Sequence, residues 1–241
     1  MLSKSLPLAI TALVAGLFTS CSVLPWQGQA PANEVNLGFT LENNLIFLTT
    51  AEINNHGGRI FFGSAHSRTI VDPAFVERAG GGRYVLQLNH RQSIPFDPVV
   101  MSLGGVGDAL VGADVWDAKA VTIDYRTGLL TWQKDGIYPD YMTLFQFEAE
   151  PKVIAEVDGR ATPVVVDTAL PDTLVLPRGS HAAGRRSARV TIAGTDFGSV
   201  DVALGDVSRA RIGNRLLSKF LVSVDYGRRQ VGLWRDPRIP M

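Results

Sequence analysis

The feature that most constrains the fold is an internal duplication of the chain. Residues 51–54 (AEIN) match residues 155–158 (AEVD) at an offset of 104 positions. The same register aligns 61–65 with 165–169 and 69–73 with 173–177. At an offset of 101, 111–112 then align with 212–213, and 121–125 with 222–226. Matches that keep the same order along the chain, at offsets of 104 and 101, predict two copies of one structural unit.

Each copy has the pattern of a β-rich lobe. Runs of β-branched residues such as 162–166 and 189–192 are bounded by turn residues, as in strands. Asp158-Gly159 is a strong signal for a hairpin because both residues tolerate positive φ. Short stretches after Gly112 and Gly213 have room for about two helical turns each. We therefore predict an all-β chain with a first lobe at 36–147 and a second at 148–241.

Composition excludes several functional classes. The chain of 241 residues carries 23 Lys+Arg against 23 Asp+Glu, so bulk electrostatics does not favour a nucleic-acid partner. Its single cysteine rules out an intramolecular disulfide framework and a cysteine-based zinc site. The four histidines show no metal-ligand spacing. We expect neither a cofactor nor a metal.

The N-terminus is typical of an export signal. Residues 1–21 combine Lys4 with an apolar stretch over 6–18 and end in Thr19-Ser20-Cys21. Small residues before a cysteine resemble the bacterial lipobox, which implies lipidation of Cys21 and a bilayer anchor. Residues 22–35 then form a flexible tether. The prediction is a membrane-anchored envelope lipoprotein, on the periplasmic face of the outer membrane if the host has two membranes. A simple export signal, cut after Ala30, is the alternative.

The candidate chemistry lies where an apolar strand runs into a polar turn. In the second copy the sequence is Val164-Val165-Val166-Asp167-Thr168-Ala169, followed by the downstream Arg211-Ile212-Gly213. This arrangement resembles the aspartic peptidase superfamily, in particular its retropepsin-like and pepsin-like proteins. The resemblance implies two retropepsin-like lobes, each contributing one aspartate to an interlobe site where two carboxyls share a proton and activate water. It also implies that Thr168 and Ser64 brace the paired turns.

The first copy departs from that pattern at the decisive position. Gly63 stands where the aspartate belongs, in the turn Gly63-Ser64-Ala65, while Ala169 replaces the motif glycine of the second copy. Asp167 is thus the sole recognisable candidate for a catalytic acid, with Thr168 beside it. Ser64, His66, Asp72 and Asp172 are considered as substitutes for the missing group, as is pairing of Asp167 with its copy in a second chain, although we expect a monomer.

Three functions follow from this pattern. The favoured one is a catalytically degenerate envelope lipoprotein that binds a peptide or an envelope protein in the interlobe groove. The second is an active aspartic-type endopeptidase that uses Asp167 with an unidentified second acid. The third is a structural envelope protein whose groove is filled by its own side chains. The basic segment 178–189 either contacts an acidic partner or is simply a solvated loop.

Overall fold

The computed structural model describes residues 34–80, 82–89, 92–116, 119–133, 136–137, 141–180 and 182–238. The predicted signal segment, Cys21 and most of the predicted tether lie outside the described residues. Within them, no helix is long and apolar enough to cross a membrane.

The regular secondary structure of the described residues consists mostly of short strands. The strands of the first half are β1 (Val35–Glu42), β2 (Leu45–Leu48), β3 (Glu52–Ile53), β4 (His56–Gly57), β5 (Ile60–Phe62), β6 (Ile70–Val71), β7 (Tyr84–Asn89), β8 (Gln92–Phe96), β9 (Val99–Val100), β10 (Ala109–Val111), β11 (Ala120–Asp124), β12 (Leu129–Gln133) and β13 (Thr143–Gln146). Those of the second half are β14 (Lys152–Val157), β15 (Arg160–Val166), β16 (Leu174–Pro177), β17 (Gly184–Ile192), β18 (Thr195–Gly205), β19 (Ala210–Ile212), β20 (Leu221–Asp225) and β21 (Gln230–Trp234). The three helices are α1 (Pro73–Ala79), α2 (Ala113–Trp116) and α3 (Asn214–Leu217).

The sheets confirm the predicted two-lobed, all-β class. Strands β14, β15, β19, β16, β18 and β17 close into a barrel that forms most of the second lobe. The first-lobe equivalents are divided between a four-stranded sheet, β4-β3-β7-β8, and one half of an eleven-stranded sheet. In the other half of that large sheet, β11 pairs antiparallel with β20, with Thr122 opposite Ser223. The two copies of the repeat therefore meet along this pair.

Two hairpin turns show how local sequence sets strand boundaries. Asp158 and Gly159 adopt φ of 50° and 76°, which is the two-residue hairpin turn predicted between β14 and β15. Asn54 and Asn55, at φ of 53° and 61°, make the equivalent turn between β3 and β4. Asparagine tolerates this left-handed region better than other residues with a Cβ.

One detail of the sequence alignment is wrong by a single residue. The ungapped register aligns Ile70 with Leu174, but Ile70 pairs with Leu110 whereas Val175 pairs with Arg211. Ile70 and Val175 are therefore the structural equivalents. Neighbouring residues of a strand face opposite sides of the sheet, so this one-residue difference changes which side chain faces the core. Leu174 lies in the main core, and Val175 does not.

Some local expectations also needed correction. Helices α2 and α3 contain four residues each, about one turn rather than two, and α1 was not expected. Asp72 caps α1 by accepting a hydrogen bond from the Ala74 amide at 3.0 Å. Asp124 and Asp225 accept hydrogen bonds from the Arg126 and Arg228 amides in two hairpin turns, and both aspartates are buried, at 7% and 2% exposure.

The basic segment 178–189 is neutralised within its own lobe. Its arginines form ion pairs with aspartates of the barrel, among them Arg186 with Asp158 at 2.7 Å and Arg185 with Asp172 at 3.0 Å. Strand β17 pairs with both β14 and β18 and so belongs to the barrel wall. Both sequence interpretations therefore need correction: residues 184–189 belong to a strand of the barrel wall rather than to a solvated loop, and the arginines are paired within the lobe rather than left to select acidic partners.

Candidate functional site

The two motif turns meet at the interface between the lobes. The Ser64 amide donates to Thr168 Oγ1 at 2.9 Å, and the Thr168 amide donates to Ser64 Oγ at 3.1 Å. Each hydroxyl donates in turn across the interface, Ser64 Oγ to the Val166 carbonyl at 2.6 Å and Thr168 Oγ1 to the Phe62 carbonyl at 3.0 Å. Both side chains are almost fully buried. This symmetric set of four bonds places positions 63 and 167 beside each other.

Further hydrogen bonds to these turns come from residues not singled out in the sequence. The hydroxyl of Tyr226 donates to the Ser64 carbonyl at 3.0 Å, and burial raises the pKa of this tyrosine well above its usual range. The side chain of Asn214 donates through Nδ2 to the Thr168 carbonyl at 2.7 Å, and its Oδ1 accepts a hydrogen bond from the Tyr125 hydroxyl at 2.8 Å. Tyr125 and Tyr226 occupy matching positions in the two copies of the repeat. This match is the feature of the sequence from which their role at the interface could have been predicted.

Asp167 forms an ion pair with an arginine. Its Oδ2 lies 2.7 Å from Nη1 of Arg211, while its Oδ1 accepts a hydrogen bond from the Ala169 amide at 3.0 Å. The carboxylate is buried, at 5% exposure, and a buried charge requires such a partner. Arg211 is placed by the parallel pairing of β19 with β15, in which it lies opposite Val165.

Position 63, across the interface from Asp167, is a glycine and so carries no carboxyl group. A Cβ built on Gly63 would lie 2.9 Å from Cδ2 of His66 and 2.9 Å from Cδ2 of Leu110. These two side chains therefore occupy the space in which an aspartate at this position would begin. Glycine is not required here by backbone conformation, because Gly63 lies outside the left-handed region.

The remaining substitutes for the missing acid are engaged elsewhere. Asp72 caps α1 and also accepts from the Leu103 amide at 2.8 Å. Asp172 pairs with Arg185. Within the described part of the chain, no carboxyl group is hydrogen-bonded to Asp167, and no three His, Cys, Asp or Glu side chains are grouped so as to hold a metal ion. The fold brings two of the four candidates to the interface: Ser64, whose hydroxyl is already used in the bonds between the turns, and His66.

The environment of His66 favours its neutral form. Burial is the main cause that lowers the pKa of the imidazole, and the positive charge of Arg211 adds to it, whereas the negative charges of Asp167 and Glu150 act in the opposite direction. The pKa of the His66 imidazole is therefore higher in the unfolded chain than in the folded protein.

A pH-dependent stability follows from this lowered pKa. The contribution of neutral His66 to the free energy of unfolding is fully present above the pKa of about 6.5 that the imidazole has in the unfolded chain. It is lost as the pH falls through the lower pKa of the folded protein. We expect wild-type protein to lose more stability between pH 7 and pH 5 than the His66→Gln variant, measured by urea unfolding at both pH values. His56→Gln, at an exposed histidine, is the matched control and should keep the wild-type dependence. An equal loss in wild type and His66→Gln would contradict the assignment.

The faces of the two lobes beside this interface differ in chemistry. In the first lobe, Phe47, Phe61, Leu110 and Ile70 lie opposite one another on adjacent strands, so their side chains share one face. All four are buried in a small apolar cluster with Leu45, and Leu103 and Ala169 pack against it. The methyl group of Ala169 is thus used in packing. The first-lobe face beside the interface is therefore covered by the protein's own side chains.

The equivalent row of the second lobe is charged. Lys152, Val165, Arg211 and Val175 lie opposite one another across β14, β15, β19 and β16. A cavity of about 440 Å³ opens on this face. Its lining consists of Glu148, Ala149, Glu150, Lys152, Thr162, Pro163, Val165, Pro177, Ser208, Arg209 and Ala210. Glu150 and Arg209 form an ion pair at 2.8 Å within it.

Comparison with known proteins supports the fold. The chain is similar to the crystal structure of the aspartic proteinase from Irpex lacteus, with a TM-score of 0.57 and 10% sequence identity. The match covers 85% of this chain and 98% of that one. No protein-family model matches the sequence, and no curated protein matches it. The chain therefore has the pepsin-like aspartic-proteinase fold, and its activity has to be argued from the site.

Proposed function

We propose that the protein is a non-hydrolytic relative of the aspartic proteinases that binds a peptide segment in its interlobe groove. The observation that carries this proposal is the pairing of Asp167 with Arg211. Aspartic catalysis needs one ionised carboxyl to activate water and one protonated carboxyl to polarise the scissile carbonyl. Here the surviving carboxylate faces a guanidinium, which donates hydrogen bonds but is not deprotonated and so cannot act as the general acid.

The binding part of the proposal is supported by the cavity of the second lobe. Its volume of about 440 Å³ falls in the range of 300–1,000 Å³ that is usual for ligand sites. Proline, valine and alanine side chains provide apolar surface, and charged groups provide polar contacts. Because the first-lobe row is closed, we place the bound segment on the second-lobe face.

Digestion of a peptide library at acid and neutral pH tests the absence of hydrolysis. We expect wild-type protein to give no cleavage above that of the Asp167→Asn variant, with circular dichroism showing that both are folded. Cleavage by wild type that is inhibited by pepstatin and lost in Asp167→Asn would overturn the proposal in favour of an active endopeptidase.

A purely structural role is the second candidate, and the filled first-lobe row favours it. Phe61 and Leu110 are each 3% exposed, so they offer little surface to a ligand. The two candidates differ in whether the second-lobe cavity captures peptides. Retention of library peptides by wild-type protein would favour binding, and its absence would favour the structural role.

The cellular setting remains a prediction from the N-terminal sequence. We propose that lipidation of Cys21 anchors the protein to the bacterial envelope. Substitution of Cys21 by Ser should move the protein from the membrane fraction to the soluble fraction of an expressing bacterium, as followed by immunoblotting. The adjacent Ser22→Ala variant is the control and should stay with the membrane. Unchanged membrane association of Cys21→Ser would contradict the anchor.

A further inference from the structure

The charged row of the second lobe suggests which peptides the groove accepts. Residues directly opposite each other on paired strands have Cβ atoms about 4.5–5.5 Å apart. Lys152 and Arg211 both lie opposite Val165, one on each side of it, so two cationic side chains flank one valine on the groove face. The row itself contains no acidic residue.

The two cations retain capacity for a ligand. Among the described residues, Lys152 forms no ion pair and is half-buried beside the cavity. Arg211 uses Nη1 on Asp167, and its Nη2 lies 3.8 Å from Glu150, beyond hydrogen-bond distance. Its side chain is 28% exposed. Donors of both side chains are therefore available on the same face.

Arg211 lies between two carboxylates, Asp167 at 2.7 Å and Glu150 at 3.8 Å, so Lys152 is the cation of the row that forms no ion pair with a described acidic residue. Glu150 is paired with Arg209, and Asp167 with Arg211. Glu148 precedes β14 and is exposed, so solvent and salt screen its charge more than that of the half-buried Lys152. A ligand carboxylate above Val165 would meet the charge of Lys152 and the remaining N–H donors of Arg211, whose own charge is offset by Asp167.

From this juxtaposition we propose that the second-lobe row recognises a carboxylate carried by an extended peptide. The carboxylate is held between Lys152 and Arg211, and the apolar part of the segment packs on Val165, Pro163 and Pro177. This inference rests on the proposed function, since it names the class of peptide that the groove binds. An acidic side chain and a free chain terminus both supply this chemistry.

Selection from defined peptide pools tests the inference. Two pools of random, N-acetylated heptapeptides, one amidated at the C-terminus and one with a free carboxylate, are passed over the immobilised full chain purified in detergent. Retained peptides are sequenced by mass spectrometry. We expect Asp or Glu to be enriched at one position of the amidated pool, or the free-carboxylate pool to be retained preferentially. The first result assigns an acidic side chain as the source, and the second assigns the terminus.

A matched set of variants connects that selection to Lys152. For a retained peptide and its uncharged twin, with Glu→Gln or an amidated terminus, we expect Kd values that differ by about tenfold in fluorescence polarisation, as for one charge-assisted hydrogen bond. Lys152→Gln should abolish the difference, whereas Lys219→Gln, a lysine outside the row, should preserve it.

The ways in which the test fails are distinguishable. Retained peptides without enrichment of carboxylates, or a charge preference unchanged in Lys152→Gln, would overturn this inference and leave groove binding intact. Retention no greater than on an unrelated immobilised protein would overturn the proposed peptide binding, and the inference with it.

Discussion

Substitution of Arg211 by Leu should destabilise the protein by about 3 kcal/mol, because it leaves the buried Asp167 carboxylate without its partner. For a chain of this size, that loss lowers Tm by about 6–12 °C. The leucine retains most of the apolar stem, so the effect reports mainly on the lost charge. Thermal and urea unfolding followed by circular dichroism measure it.

Two further variants separate the ion pair from a general effect of losing an arginine. Arg209→Leu removes an exposed partner of Glu150, at 62% exposure, and should cost no more than about 1 kcal/mol. The double variant Asp167→Asn/Arg211→Leu should regain more than half of the stability lost in Arg211→Leu, since no charge is then left unpaired. A double variant as unstable as Arg211→Leu would show that the arginine acts through packing instead.

Replacing Thr168 by Val should produce a loss of similar size for a different reason. Valine has the shape of threonine but lacks the hydroxyl, so the Ser64 amide and the Phe62 carbonyl lose their partner in a buried interface. Each unsatisfied group costs about 1–3 kcal/mol. We expect a decrease of about 3 kcal/mol in the free energy of unfolding, measured by urea denaturation.

The same substitution at an exposed threonine provides the comparison. Thr40→Val, on the surface of β1, should change stability by no more than about 0.5 kcal/mol. In a double-mutant cycle, Thr168→Val and Ser64→Ala should show a coupling energy above about 1 kcal/mol, because the two hydroxyls share one network. Additive effects would mean that the two turns are held together independently of these hydroxyls.

The sequence predicted the fold and half of the site. The duplication indicated which turns correspond, and the resemblance implied that Ser64 and Thr168 brace each other, which the hydrogen bonds bear out. The partner of Asp167 was not predicted. Arg211 lies 44 positions away, and only the parallel pairing of β15 with β19 brings it beside the aspartate.

The other discrepancies also have physical causes. The one-residue slip at β6 and β16 changes which side chains face the groove, and an ungapped alignment is blind to a change in strand register. The filled first-lobe row depends on contacts among four separate strands and the chain near Leu103. Such contacts are set by tertiary packing, whereas the repeat and the hairpins are set by local pattern.

Positions 63 and 167 face each other across the lobe interface, with one acid missing and the other neutralised by Arg211. Rebuilding the pair tests this arrangement directly, using Gly63→Asp with His66→Ala and Leu110→Ala to make room and Arg211→Leu to remove the cation. Titration of the ¹³C-labelled carboxyl groups by NMR should show the rebuilt pair losing its protons in two steps separated by more than one pH unit, because adjacent carboxyls share a proton. The variant that retains Arg211 should not show this separation. Two carboxyls that titrate independently in the rebuilt protein would contradict the account.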